Sequence, residues 1–442
     1  MFHRALGLSS QLFLFATFVA AQDVSEWPQW RGPEGTGASS TAQPPREWSD
    51  SKNVFWKTPI KGRGHSTPIV SGDLVFVTTA DPVGEKLPPK MSGRPGAHDN
   101  LAVDQAHAFL LVAIDRETGA IRWSKELNRN VPHEGGHYTA SLASASPVTN
   151  GKYIYAFFGS HGLYCVDREG NLAWSKKLGE MHSKHGHGEG SSPALDDQTL
   201  VINWDHEGQS FVVALDAESG TEVWRNDRAE VTSWSSPLIT EIEGRKQVII
   251  CGTERVRGYD LKTGEVIWEC GGMSANIVAT PVAGDGIVYV GSSYEKRALM
   301  AISLRGARGD VTDSDHVLWS RARGTPYVPS PLLVSGGLYF LTHYQNVLTR
   351  VNAQSGAYEP GAMRLGELGN IYASPVAADG KIYVTDLDGN TLVLTSTPVP
   401  HLVAVNRLGE KVSASLALAG DQIFIRGDTH LFCLRDESPS GE

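Results

Sequence analysis

The sequence predicts an all-β fold: an eight-bladed β-propeller of four-stranded antiparallel blades, its ring closed by an N-terminal strand. Three observations lead there. A small-small-Pro step recurs as Ser66-Thr67-Pro68, Ala145-Ser146-Pro147, Ser191-Ser192-Pro193, Ser235-Ser236-Pro237, Ala279-Thr280-Pro281, Pro329-Ser330-Pro331 and Ala373-Ser374-Pro375, with a degenerate eighth copy at Ala414-Ser415-Leu416. After an opening interval of 79 residues the steps fall 46, 44, 44, 50, 44 and 41 residues apart, a spacing typical of propeller blades. Between steps come short aliphatic runs, an Asp-x-x-Thr-Gly-like turn and a Trp.

In chain order, His3 and Arg4 precede an apolar run over residues 5–20 that ends in Val19-Ala20-Ala21. This reads as a secretory signal over residues 1–21. Residues 22–47 form an arm whose Trp27-Pro28-Gln29-Trp30-Arg31-Gly32-Pro33 is too aromatic for a passive linker and is expected to lie on the propeller, which spans 48–436. Blade 1 carries a Pro- and Gly-rich insertion over 80–107, read as a loop.

Each blade reads as strands A to D, from the inside out. In the third, A is expected at 193–195, B at 200–202, C at 211–215 and D at 222–224, with Gly220 giving the C–D turn its positive φ. Trp123, Trp174, Trp224, Trp268 and Trp319 hold equivalent places on strand D and are assigned to inter-blade packing. Blade 8 supplies strands near 412–416, 422–425 and 430–434. Its fourth is expected from Asn53-Val54-Phe55-Trp56-Lys57, which would leave no open sheet edge. Residues 437–442 read as a polar tail.

Bulk composition narrows the function. Apolar residues make up 40% and charged residues 20%, enough for a globular core, and the net charge of −10 without a basic run argues against nucleic acid or an anionic membrane surface as the main partner. After the signal no stretch is long and apolar enough to span a bilayer. Cys165, Cys251, Cys270 and Cys433 are never adjacent. Cys251 and Cys270 fall on strands B and D of one blade, too far apart for a disulfide, so all four are expected as small buried residues.

The best copies of the phrase are Ala214-Leu215-Asp216-Ala217-Glu218-Ser219-Gly220 with Trp224, and Gly258-Tyr259-Asp260-Leu261-Lys262-Thr263-Gly264 with Trp268. Over about residues 48–435 the pattern resembles the pyrroloquinoline quinone (PQQ) repeat. The Trp-Pro-Gln-Trp-Arg-Gly-Pro opening is similar to secreted PQQ-like propellers of planctomycete-type bacteria. The resemblance implies one of two functions, since fold alone does not choose. Quinoprotein dehydrogenases bind PQQ and calcium and oxidise alcohols or sugars. BamB-like proteins carry no cofactor and act as scaffolds in outer-membrane protein assembly. The dehydrogenases' adjacent-cysteine disulfide and calcium-holding motifs have no counterpart here, so no catalytic residue is carried over. The expectation is an exported, periplasmic or extracellular, non-catalytic scaffold of an envelope protein complex. The alternative is a PQQ-dependent oxidoreductase with its site on a His-rich face.

That face follows from the strand order, which puts D-to-A links and B-to-C turns on the same side. His133 and His137 fall in the link from blade 1 to 2, and His182, His185, His187 and Glu189 in the next link. His161 lies in the B–C turn of blade 2 and Asp205-His206-Glu207 in that of blade 3. His65, Trp234, Tyr327, His343 and the insertion's His98, Asp99 and His107 join them. The candidate ligand-binding set is His133, His137, His161, His185, His187, Glu189, His206, Glu207 and Trp234, for a protein or small-molecule ligand. The candidate divalent-metal set is His182, His185, His187, Glu189 and His206. Acid–base work on a bound molecule, or hydrogen bonding that only holds the loops, fits the same residues. No Gly-x-Ser-x-Gly elbow or phosphate-cradling loop is present.

Overall fold

The computed structural model describes residues 26–343 and 345–437. The expected signal segment, the first residues of the arm and the tail beyond Glu437 lie outside the described residues. Eight blades of four antiparallel strands follow one another along the chain, and two of the sheets gain a fifth, parallel strand at one edge. Blade 3, for example, is built from Ala194–Asp196, Thr199–Trp204, Ser210–Asp216 and Glu222–Arg228. The ring closes as expected. Blade 8 consists of Ala417–Ala419, Gln422–Arg426 and His430–Arg435, and its outer strand is Val54–Pro59, paired antiparallel with His430–Arg435.

Two expected boundaries move. The inner strand of blade 8 starts at Ala417 rather than within 412–416, and that of blade 3 at Ala194 rather than Pro193. In each blade the strand begins just after the Pro position, because the preceding hydroxyl residue makes a different bond. The amide of Thr67 donates to Ser146 Oγ at 2.9 Å, that of Ser146 to Ser192 Oγ at 3.0 Å, and that of Ser192 to Ser236 Oγ at 2.9 Å. Ser236, Thr280, Ser330 and Ser374 continue the chain to Ser415 Oγ. These hydroxyls stitch blade to blade around the axis. Thr67 Oγ1 ends the chain without a partner.

The blade 1 insertion is also shorter than expected. Strands B and C run over Leu74–Val83 and Ala106–Asp115, paired out to Val83 and Ala106, which leaves 84–105 as the loop. Pro82 is tolerated because strand A, Ile69–Ser71, pairs only with Leu74 to Phe76 and claims no amide that far along.

Strand-D indoles dock on the next blade. The Nε1 of Trp56, Trp123, Trp174, Trp224 and Trp319 donates to the carbonyl of Arg116, Arg168, Ala217, Leu261 and Ala353, just after the turn's Asp or Asn. Trp268 departs from the expected equivalence. It packs among blade 5 residues such as Val288 and Ile302, but its N–H turns to Gln247 Oε1 of its own blade. Blade 5 lacks the Asp-x-x-Thr-Gly turn, and the strand Gly309–Asp310 pairs parallel with Trp268 and Glu269 instead.

The N-terminal arm lies across the face opposite the D–A links. Trp27 is fully buried and bridges to Val70 of blade 1, and Ala38–Ser39 pairs parallel with blade 7. Arg31 is the arm's buried anchor, with its guanidinium donating to the carbonyls of Pro375 at 2.9 Å, Pro331 at 2.8 Å and Thr36 at 2.9 Å. All four cysteines are free and buried.

Candidate functional site

On the D–A link face, blades 1 to 3 and the link into blade 4 line an open cavity of about 170 Å³. Its wall is largely apolar, with Val103, Leu142, Phe157, Phe158, Met181 and Trp234 contributing. The blade 1 insertion closes one side, held there by Asn100. The Asn100 amide donates to the carbonyls of His185 at 2.8 Å and Gly186 at 2.6 Å, while its oxygen accepts from His187 Nδ1 at 2.9 Å. This clasp fixes His187 in the Nδ1–H form.

Six of the expected ligand-binding residues line the cavity: His133, His137, His161, Glu189, His206 and Trp234. His185, His187 and Glu207 do not. Glu189 accepts from the Ser160 amide and hydroxyl, both at 2.6 Å, and Ser160 Oγ accepts from the Met181 amide at 2.7 Å. Burial pushes the Glu189 carboxyl up to about 7 despite those bonds. His161 stacks on Phe109 with ring centroids 4.2 Å apart, and burial pulls it down to about 3, so it stays neutral. His133 Nε2 bonds the Met181 carbonyl at 2.7 Å. His137 Nδ1 meets Thr139 Oγ1 at 2.7 Å. The Trp234 indole donates to the Gly188 carbonyl at 2.7 Å.

Asp205, His206 and Glu207 spend their polar atoms on the loops. Asp205 is bound by Arg228 at 2.7 and 3.0 Å and by Ser233 Oγ at 2.7 Å. His206 Nδ1 accepts from the His182 amide at 3.1 Å, and its Nε2 meets the Gln209 carbonyl at 3.2 Å. Glu207 accepts from the Thr232 amide and hydroxyl.

Four of the five residues expected to share a metal turn to other partners: Glu189 to Ser160, His206 to Gln209, His187 to Asn100 and His185 to the Pro95 carbonyl, although the His185 and His187 rings lie 5.2 Å apart. Among the described residues the convergent group is His133, Glu134 and His182, whose ligand atoms lie within 4.8 Å of one another. Sequence reasoning missed Glu134, Asn100 and Ser160. For Glu134 the available signal was the phrase His133-Glu134-Gly135-Gly136-His137, which, like residues 185–189, sets His and Glu beside glycines.

The lining does not fit PQQ with calcium. Calcium takes six to eight oxygens, whereas the lining offers three carboxylates, and two of them, Glu189 and Asp205, are taken up by Ser160 and Arg228. The separate cysteines offer no adjacent-cysteine disulfide to face a quinone.

The profile of a family described as outer membrane protein assembly factor BamB matches residues 107–359, more than half of the chain. BamB of Yersinia pestis is 24% identical over 207 residues, 44% of this chain and 51% of that protein, so the chain spans about half the length of that relative. BamB of Moranella endobia is 24% identical over 357 residues, 75% of this chain and 82% of that one. Among solved structures, quinohemoprotein alcohol dehydrogenase ADHIIG from Pseudomonas putida HK5 superposes with a TM-score of 0.50 at 13% identity, covering 95% of this chain and 82% of that one. At that identity the likeness concerns the fold alone.

Proposed function

This chain belongs to the PQQ-repeat propeller family of outer membrane protein assembly factor BamB, and from that premise we propose that it is an exported, non-catalytic docking protein of the cell envelope. Its D–A link face receives apolar segments of outer-membrane polypeptides during their assembly. The observation that carries this reading is where exposed apolar side chains fall. Leu87, Met91 and Leu101 of the insertion, Val131 and Tyr138 of the next link, Val231 and Tyr294 all lie on the cavity's face. Among the described residues, the remaining large exposed apolar side chains sit on outer strands, apart from Val399 in a C–D turn of the opposite face. A one-sided apolar patch around a pocket is how a binding surface differs from ordinary exposure. Among the described residues no helix is long and apolar enough to cross a membrane.

A photo-crosslinking residue at Tyr138, compared with one at Val399, tests the proposal. Crosslinks to an unfolded outer-membrane β-barrel polypeptide are expected from position 138 and not from 399. Equal labelling from both faces, or none, would overturn it. So would dye-linked alcohol oxidation after reconstitution with PQQ and calcium.

A further inference from the structure

We propose that His133, Glu134 and His182 bind a divalent transition ion of the zinc type at the lip of the loop-face cavity. The site is independent of the docking role and stands on its own geometry. Its three side chains come from two successive D–A links, so an ion there would tie the link of blades 1 and 2 to that of blades 2 and 3. Each side chain offers a ligand atom within 4.8 Å of the other two, a spread that small rotamer adjustments can draw in to coordination distance.

The supports behind two of the ligands match what a metal site needs. His133 donates one ring nitrogen to the Met181 carbonyl at 2.7 Å, which leaves the other nitrogen as a lone pair and fixes the ring plane. Glu134 is held by the Ser183 amide at 3.2 Å, the Ser183 hydroxyl at 3.4 Å and Arg94, and a carboxylate held by three donors keeps lone-pair capacity for a fourth partner. His182 is exposed, and its ring makes no hydrogen bond among the described residues, only an edge contact with His133 at 5.8 Å between centroids. Two imidazoles with one carboxylate favour zinc-like ions over calcium or magnesium, which prefer oxygen shells. Three protein ligands also leave a fourth position free, opening beside the cavity, for water or for a donor group on whatever enters it.

The experiment is calorimetric titration of chelator-treated protein with zinc chloride, with cobalt(II) absorption as a second readout. Wild type is expected to take up one saturable ion and to give the intense visible bands of four-coordinate cobalt. His182→Ala should weaken binding by at least about tenfold. Because His182 is exposed, the melting of the metal-free protein should not change. His185→Ala, which alters a neighbouring imidazole outside the trio, should bind as wild type does. Absence of saturable binding in wild type would overturn the assignment, as would undiminished binding by His182→Ala or a loss specific to His185→Ala. None of these results depends on whether the docking face captures a polypeptide.

Discussion

Burial moves the titratable side chains around the cavity in opposite directions. Glu189 holds its proton up to about 7 against an ordinary value of 4.5. The folded protein therefore binds that proton more tightly than the unfolded chain, and this contribution to stability is full below the ordinary value and lost as pH rises through 7. His161 and His65, pulled down to about 3, and His187, pulled down to about 4, act the other way. They contribute fully above the ordinary imidazole range, and that share is lost as pH falls toward 3. Glu189→Gln keeps the shape but cannot ionise. Relative to the variant, wild type should lose about 2 kcal/mol of unfolding free energy between pH 5 and pH 8, read from urea midpoints at both values. A difference that does not change with pH would mean that Glu189 ionises as an ordinary carboxyl. The sequence could place this residue on the loop face but could not foresee its state. Ser160, which holds it, lies 29 positions away in another blade's turn, and nothing in the local sequence advertises the pairing. His206 and Glu207 show the converse: residue types that suggest chemistry are consumed by backbone amides and carbonyls within reach of the same loops.

Elements in this fold are joined by a repeated lock between the outer-strand indole and the following blade's turn. Gly264 shows why the turn must end in glycine. Its φ is +77°, and an added Cβ would stand 2.6 Å from Trp224 Cδ2. Gly264→Ala should therefore cost about 2–4 kcal/mol, from left-handed strain plus displacement of a buried indole. Gly336→Ala is the control, because φ is +67° there but nothing lies within 4 Å. It should cost only about 1–2 kcal/mol. Denaturant midpoints for the pair separate backbone strain from packing, and equal losses would show that the indole yields freely. These locks are the most legible part of the molecule, since Asp, Gly and Trp recur at fixed offsets and each has a single geometric job. The exception, Trp268, was legible only in hindsight. The longer interval of 50 residues between Pro281 and Pro331 marks the lost turn, but not where the freed indole would go.

At the scale of the whole molecule, the ring depends on a strand that the repeat count alone leaves out. The third strand of blade 8, His430–Arg435, would be an open edge without Val54–Pro59, whose Trp56 packs into the core shared by blades 7, 8 and 1. Closure was readable because Trp56 repeats the strand-D pattern ahead of the first blade. The course of the arm was not, because Arg31 is held by the carbonyls of Pro331 and Pro375, some 300 or more residues away, and carbonyls carry no sequence signature. The two roles can be separated by truncation. Removing residues up to 47 deletes the Arg31 anchor and the buried Trp27 but spares the closing strand. The expected product is a monomer that melts lower, since the lost contacts are extensive but peripheral to the sheets. Removing residues up to 59 takes the closing strand as well and exposes the edge of His430–Arg435 together with the apolar faces that Trp56 covered. An unpaired edge recruits other chains, so this form should run as oligomers or aggregate in size-exclusion chromatography with light scattering. If the longer truncation stayed monomeric with an unchanged melt, Val54–Pro59 would be an accessory to a ring already closed by the C-terminal strands. If the shorter truncation already aggregated, the arm rather than the strand would be what holds the circle shut.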